Sequence, residues 1–203
     1  MYNPADNKIQ GWMNDEELKF LYNTMIKRSK VLDHLTVLEI GSWKGRSTHS
    51  IISALSTLTS YSILYCVDNW SKADHMETDE IRAKAYKEFL SNTYQLYLKT
   101  NYNNVRILNQ SSDDFYMDAI KFNIRPDIIF LDADHSYEAV KRDLKNYWAI
   151  LKDGGVFLGH DYRAGETLTN GVRRAVNEKF KKSDVKLIKG GSIFQVNKPK
   201  KES

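Results

Sequence analysis

The sequence predicts an α/β fold: a doubly wound, mostly parallel sheet, expected to have seven strands with the last hairpin antiparallel, and helices on both faces. Three observations predict it. Five short, nearly continuous apolar runs, "LTVLEI", "SILYCVD", "NVRILNQ", "DIIFLDA" and "GGVFLGH", have the composition of strands buried on both faces. Segments with helical spacing alternate with them, as crossover connections between parallel strands require. The 203 residues, 41% of them hydrophobic, suffice for one core and show no internal repeat and no linker rich in Pro or Gly, so the chain reads as a single domain over 1–203.

Taken in order, the lead-in 1–35 holds "NDEELKFLYNTMIKRS", where Asn14 is an N-cap with Glu17 three positions on and Leu18, Leu21, Tyr22 and Met25 share one face. The first strand follows, then a helix over Ser47–Leu58, then the second strand. Within the polar stretch 71–104, "DEIRAKAYKEFLSNTYQLYLK" is helical by spacing. Asp113 and Asp114, after the third strand, start a helix, where the macrodipole favours acids. "SYEAVKRDLKNYWAILK" is an amphipathic helix between the fourth and fifth strands, and "NGVRRAVNEKFKK" is another beyond them. "VKLIK" and "SIFQVNK" close the chain as a hairpin around Gly190 and Gly191.

Composition excludes several classes. The net charge of +4 comes from 30 basic and 26 acidic residues, with much of the excess in the tail 198–203, "KPKKES", which argues against a nucleic-acid partner. The single cysteine, Cys66, lies in the run "ILYCV" and reads as a buried small hydrophobe, not a nucleophile. No apolar stretch approaches the ~20 residues of a membrane span, so the expectation is no membrane and a reducing, cytoplasmic location.

In a doubly wound sheet, ligands bind beyond the carboxyl ends of the strands. Those ends carry Glu39 and Gly41, Asp68, Ser111 and Ser112, then Asp132, Asp134 and His135, and finally His160 and Asp161. Gly41 and Gly45 allow a sharp turn and close backbone approach, and the following helix offers free N–H groups from about Arg46 to Thr48 to an anion. The loop is E-x-G-x-x-x-G, not the G-x-G-x-x-G of dinucleotide sites, and Glu39 would repel a pyrophosphate. An acid there suits a cationic partner such as the α-amino or sulfonium end of S-adenosylmethionine, and Asp68 is placed to accept both hydroxyls of a ribose.

"VLEIGSWKGRST", "VDNW" and "DIIFLDADHSYEAVKRDLKNYWAILKDGGVFLGHDY" resemble the class I S-adenosylmethionine-dependent methyltransferases, in the branch of macrocin-type sugar O-methyltransferases and cephalosporin-hydroxylase-like proteins. The resemblance covers most of residues 10–197 and implies a Rossmann-like domain. It implies that Glu39, Gly41, Ser42 and Gly45 line the methionine part of the cofactor, with Ser47 near its carboxylate. Asp68 would hold the ribose, Asn69 and Trp70 would flank the adenosine, and Ser111 with Ser112 would sit near the adenine edge. Arg46 either binds the carboxylate or points to solvent. Related enzymes are often dimers or larger, which implies a homo-oligomer.

The fourth and fifth strands are neighbours in this fold, so Asp132 converges with His160 and Asp161. In the related catechol-type O-methyltransferases the position of Asp132 holds a metal, and an Asp-Asn pair stands where this chain has His160 and Asp161. Mg²⁺ or Mn²⁺ is the implied ion, the histidine favouring the latter. The alternative is that Asp161 caps a turn or that His160 binds substrate. His135 stands where those enzymes carry a catalytic lysine and is the candidate general base; the alternative is that it caps the next helix with Asp134 orienting it, and the two roles are compatible.

The stretch 71–104, with His75, Tyr86, Tyr94, Tyr97 and Tyr102, and the segment around Trp12 are candidate lids over a small-molecule acceptor. The expected activity is methylation of a small-molecule hydroxyl, sugar or polyol-like, with divalent-metal assistance. An RNA or protein methyltransferase is the second reading, and a nucleotide-binding protein without methyl transfer is the third.

Overall fold

The computed structural model describes residues 2–70, 79–98, 103–163 and 171–201. After a short 3₁₀ turn at Pro4–Asp6 come α1 (Asp15–Ser29), β1 (His34–Ile40), α2 (Arg46–Leu55), β2 (Tyr61–Asp68), α3 (Asp79–Tyr97) and β3 (Asn103–Asn109). The second half runs α4 (Ser112–Lys121), β4 (Ile128–Leu131), α5 (Tyr137–Ile150), β5 (Val156–Gly159), α6 (Gly171–Lys179), β6 (Lys186–Leu187) and β7 (Phe194–Asn197). One sheet has the order β3-β2-β1-β4-β5-β7-β6. The first five strands pair in parallel, and β7 is antiparallel to both β5 and β6. The order reverses between β1 and β4, so a ligand crevice opens above those two strands.

The alternation of side chains along β1 divides the core. Leu35 and Val37 join one apolar cluster with Leu18, Ile51 and Phe89, beneath α1, α2 and α3. Leu38 and Ile40 join the other with Phe115, Leu144 and Val176, beneath α4, α5 and α6. Both faces are covered, which is why the strands read as continuous apolar runs. Each fully buried Leu, Ile or Phe contributes about 1.5–3 kcal/mol relative to exposure.

The capping box expected at Asn14 is present in both directions: Asn14 accepts from the Glu17 N–H, and Glu17 accepts from the Asn14 N–H at 2.9 Å. Helix α2 stops three residues before the expected Leu58. There Thr57 and Leu58 donate to Ala54 and Leu55 in tighter turns, and the Thr57 hydroxyl takes the Ala54 carbonyl at 2.7 Å. Of the candidate lid, residues 71–78 and 99–102, with His75 and Tyr102, lie outside the described residues, as does the side chain of Tyr97. Tyr86 packs on Trp70 with ring centroids 4.6 Å apart, whereas Tyr94 is exposed. No described helix is long and apolar enough to cross a membrane. Cys66 is fully enclosed, and burial pushes its thiol well up.

Candidate active site

At the end of β1 the chain turns through Gly41 (φ +90°) and Gly45 (φ +87°). A Cβ at Gly41 would overlap the carbonyl of Asp132, so the glycine loop and the end of β4 touch backbone to backbone. Beneath this loop Glu39 is fully enclosed. Its Oε1 accepts from Ser47 Oγ at 2.6 Å, and its Oε2 accepts from Thr48 Oγ1 at 2.5 Å and Ser42 Oγ at 2.8 Å. Burial raises its pKa, against these three hydroxyls. The resemblance puts Glu39, Ser42 and Ser47 along the cofactor; here their side chains bond one another and fix the loop from below.

Asp68 ties the same loop to β2. Its Oδ2 accepts from the Trp43 N–H at 2.8 Å and its Oδ1 from the Trp70 N–H at 2.7 Å. Burial raises its pKa, against backbone N–H groups of Trp43, Trp70 and Ser42. A carboxylate has about four acceptor sites, so with three backbone N–H groups on it about one stays free for a hydroxyl. Trp70 is buried between Tyr86 and Phe89 and donates its indole N–H to the Trp43 carbonyl at 2.7 Å. Asn69, between Asp68 and Trp70 in the chain, is half-buried. Trp43 (φ +41°), Trp70 (φ +39°) and Asp161 (φ +58°) are three of the four described non-glycine residues in the left-handed region. Backbone strain therefore gathers at the strand ends that face the crevice.

At the end of β3, Ser111 caps α4 by accepting from the Asp114 N–H at 3.1 Å, and Ser112 donates to Asp143 at 3.1 Å. Arg46 takes neither expected role. It donates to the carbonyls of Asn7 (3.1 Å), Ile9 (2.7 Å) and Met13 (2.8 Å), strapping the lead-in across the start of α2.

The ends of β4 and β5 bring Asp132, His135, His160 and Asp161 together. His135 Nε2 lies 3.0 Å from Asp161 Oδ2 and 3.6 Å from Asp132 Oδ1. From the buried side, His160 Nδ1 lies 3.1 Å and 3.6 Å from the same two oxygens. The carboxylates of Asp132 and Asp161 raise His135 to about 10. Burial opposes a charge on His160, but Asp132, Asp161 and Glu17 outweigh it and push the ring up to about 12. Burial favours a protonated Asp161, yet His135 and His160 hold it well below the usual carboxylate range. Asp134 accepts from the Ser136 N–H at 2.7 Å, so Asp134 itself takes the start of α5, and His135 faces the acids instead of capping that helix.

Among the described residues, Asp132, His135 and Asp161 place one ligand atom each within 4.8 Å of one another. Two imidazolium protons neutralise these acids. A divalent cation taking the place of both protons leaves the net charge unchanged, and oxygen with imidazole is a donor set that such an ion accepts. The residues present therefore fit a metal. Beside them opens a cleft of about 360 Å³ lined by Trp12, Glu17, His160, Asp161, Arg163 and Ser192 among others. Glu17 is the site residue that the sequence reading misses. Its capping signal is complete in itself, and nothing local marks a contact with a residue 143 positions away.

A family model described as a methyltransferase domain matches residues 38–162. No curated protein matches the chain by sequence. Among solved structures, the O-methyltransferase from Bacillus cereus in complex with SAH has a TM-score of 0.62 at 19% identity, over 96% of this chain and 87% of that one. TomG, an O-methyltransferase from Streptomyces achromogenes involved in tomaymycin synthesis and solved with SAM, has 0.56 at 12%, over 92% and 82%. A protein from Streptococcus mutans, provisionally named a SAM-dependent methyltransferase, has 0.59 at 13% over 91% of this chain, which spans 49% of its length. These likenesses show a shared fold.

Proposed function

Because the chain belongs to the methyltransferase-domain family and has the class I S-adenosylmethionine-dependent methyltransferase fold, we propose that it methylates a hydroxyl of a small molecule, sugar or polyol-like. The observation that carries this reading is the contact between Gly41 and Asp132, which puts the glycine loop and the acid cluster in one crevice. Bound there, S-adenosylmethionine supplies a sulfonium-activated methyl group to an oxygen nucleophile. The backbone N–H groups at the start of α2 receive its carboxylate, the remaining acceptor site of Asp68 receives a ribose hydroxyl, and Asn69, Trp70, Ser111 and Ser112 border the adenosine side. Gly41, Ser42, Gly45 and Ser47 shape the turn, and Glu39 holds it from below.

Asp132 and Asp161, with one imidazole, would hold a divalent ion, Mg²⁺ or Mn²⁺, which lowers the pKa of an adjacent hydroxyl and orients it. His135 is exposed enough to meet the acceptor; once Asp132 and Asp161 are given over to the ion, its own proton leaves to solvent and the neutral ring would take the hydroxyl proton at Nε2. Attack of the oxygen forms the C–O bond as the C–S bond breaks. The electron pair stays on sulfur. Oxygen acceptors in the Bacillus and Streptomyces proteins support this choice over a nitrogen acceptor. The whole of 1–203 acts as one unit in this reading, with 1–35 as the lead-in over the loop, 71–104 as a lid and 198–203 as a basic tail.

Calorimetric titration with S-adenosylhomocysteine, with NAD⁺ as the control, tests it. Micromolar binding of the former alone is expected. No binding, or preference for NAD⁺, would overturn the methyltransferase reading.

A further inference from the structure

Glu17 lies outside the segment that the family model matches, yet its carboxylate reaches the acid cluster from α1. It is almost wholly enclosed. Oε1 accepts from the Ser192 N–H at 2.6 Å and lies 3.1 Å from His160 Nε2, while Oε2 accepts from the Asn14 N–H at 2.9 Å. Asn14 Nδ2 also donates to the Gly190 carbonyl at 3.0 Å, joining the start of α1 to the turn before β7. Gly191 leaves room for the carboxylate, since a Cβ there would come within 2.7 Å of Glu17 Cγ and Oε1. The acceptor atom facing His160 is thus fixed by groups from two distant parts of the chain.

A ring nitrogen that donates to a fixed carboxylate leaves the other nitrogen as the available ligand atom. With Nε2 held by Glu17, His160 Nδ1 is turned onto Asp132 and Asp161. We propose that Glu17 is a positioning residue which fixes His160 as an Nδ1 donor, so that the cluster takes a borderline ion such as Mn²⁺ in preference to Mg²⁺. This rests on the ion-assisted reading above and deepens it. Mg²⁺ demands oxygen ligands in near-ideal octahedral geometry, whereas Mn²⁺ accepts imidazole readily. It also separates two similar histidines. The buried ring is pre-oriented as a ligand, and the more exposed His135 stays available for the acceptor's proton.

The test is calorimetric titration of Mn²⁺ and Mg²⁺ into the chelator-treated full chain, as wild type and as Glu17→Ala, with S-adenosylhomocysteine titrated in parallel. Wild type should bind Mn²⁺ at least about tenfold more tightly than Mg²⁺, and Glu17→Ala should lose about 10- to 100-fold in Mn²⁺ affinity. Its Mg²⁺ affinity should fall less, and its S-adenosylhomocysteine affinity should hold, which a merely structural role would not produce. An unchanged Mn²⁺-to-Mg²⁺ ratio in Glu17→Ala overturns the proposal. If that variant does not fold, pulsed electron paramagnetic resonance of the Mn²⁺-loaded His135→Ala protein decides. A histidine nitrogen coupling must persist there, and its absence overturns the proposal. Wild type that binds S-adenosylhomocysteine but no Mn²⁺ sinks the inference and leaves the methyltransferase reading standing; binding of neither sinks both.

Discussion

Asp143 shows how burial sets the chemistry of one side chain. Its carboxylate is enclosed by α4 and α5, 3.1 Å from Ser112 Oγ and 3.5 Å from Arg142 Nε. Burial pushes its pKa up to about 6 despite Arg142. A folded-state value above the unfolded one, about 3.9, means that the folded chain binds this proton more tightly. The contribution of Asp143 to stability therefore falls as pH rises from about 4 to about 6 and is constant above. Asp143→Asn should raise the thermal midpoint at pH 7.5 by a few degrees, equivalent to about 1–2 kcal/mol, and give no gain at pH 4. Thermal melts at the two pH values check this; equal gains at both would remove ionisation as the cause. Glu39 teaches a related lesson about legibility. Its presence at a strand end is plain in "VLEIG", and so is its direction once the period of two is applied, because it shares a face with Leu35 and Val37 under α2. The three hydroxyls that enclose it are also present in "SWKGRST". What the sequence leaves open is that they converge on the acid instead of on a ligand.

Among the elements, the β1–α2 turn is the most demanding. Gly41 needs a positive φ and also the absence of a side chain, because the Asp132 carbonyl fills that space. Gly190 also has a positive φ, +78°, but a Cβ there meets nothing within 4 Å. Gly190→Ala should therefore lose only the left-handed backbone penalty, about 1–2 kcal/mol. Gly41→Ala should lose considerably more and abolish S-adenosylhomocysteine binding, as read by urea unfolding and calorimetry. Equal losses would mean that conformation alone sets both positions. The five parallel strands were legible because strands buried on both faces must be apolar throughout. Helix ends and the two-residue β6 were less so, since local hydroxyl bonds and hairpin pairing decide them. The 3₁₀ turn at Pro4–Asp6 has too few residues to show a period.

At the scale of the molecule, the lead-in is fastened over the crevice by several side chains, of which Arg46 makes the most bonds. Besides the three carbonyls held by Arg46, the Asn7 amide donates to the Arg46 carbonyl at 2.9 Å, Lys44 reaches Gln10 at 2.7 Å, and Trp12 packs on Trp43 at 4.6 Å. Arg46→Ala should speed hydrogen exchange of amides 7–13 at least about tenfold while leaving β1 and β2 protected. Equal protection in the variant would show that the tryptophan contact and Lys44 suffice. The convergence of Asp132, His160 and Asp161 was legible because topology makes β4 and β5 neighbours. The reach of Glu17 to His160 was not, because it depends on how α1 docks against the last hairpin.

That docking has a consequence for the order in which the protein is made. Glu17 leaves the ribosome well before the backbone N–H that completes its hydrogen bonding, which belongs to Ser192, 175 positions later. A chain grows at about 5–20 residues per second, so the carboxylate waits on the order of ten seconds or more for its partner. Throughout that interval the parallel strands can pair and the glycine loop can close, but the ring of His160 has no finished support. The acid cluster is thus a late part of the crevice to mature, and a nascent chain cannot present it complete before Ser192 has emerged.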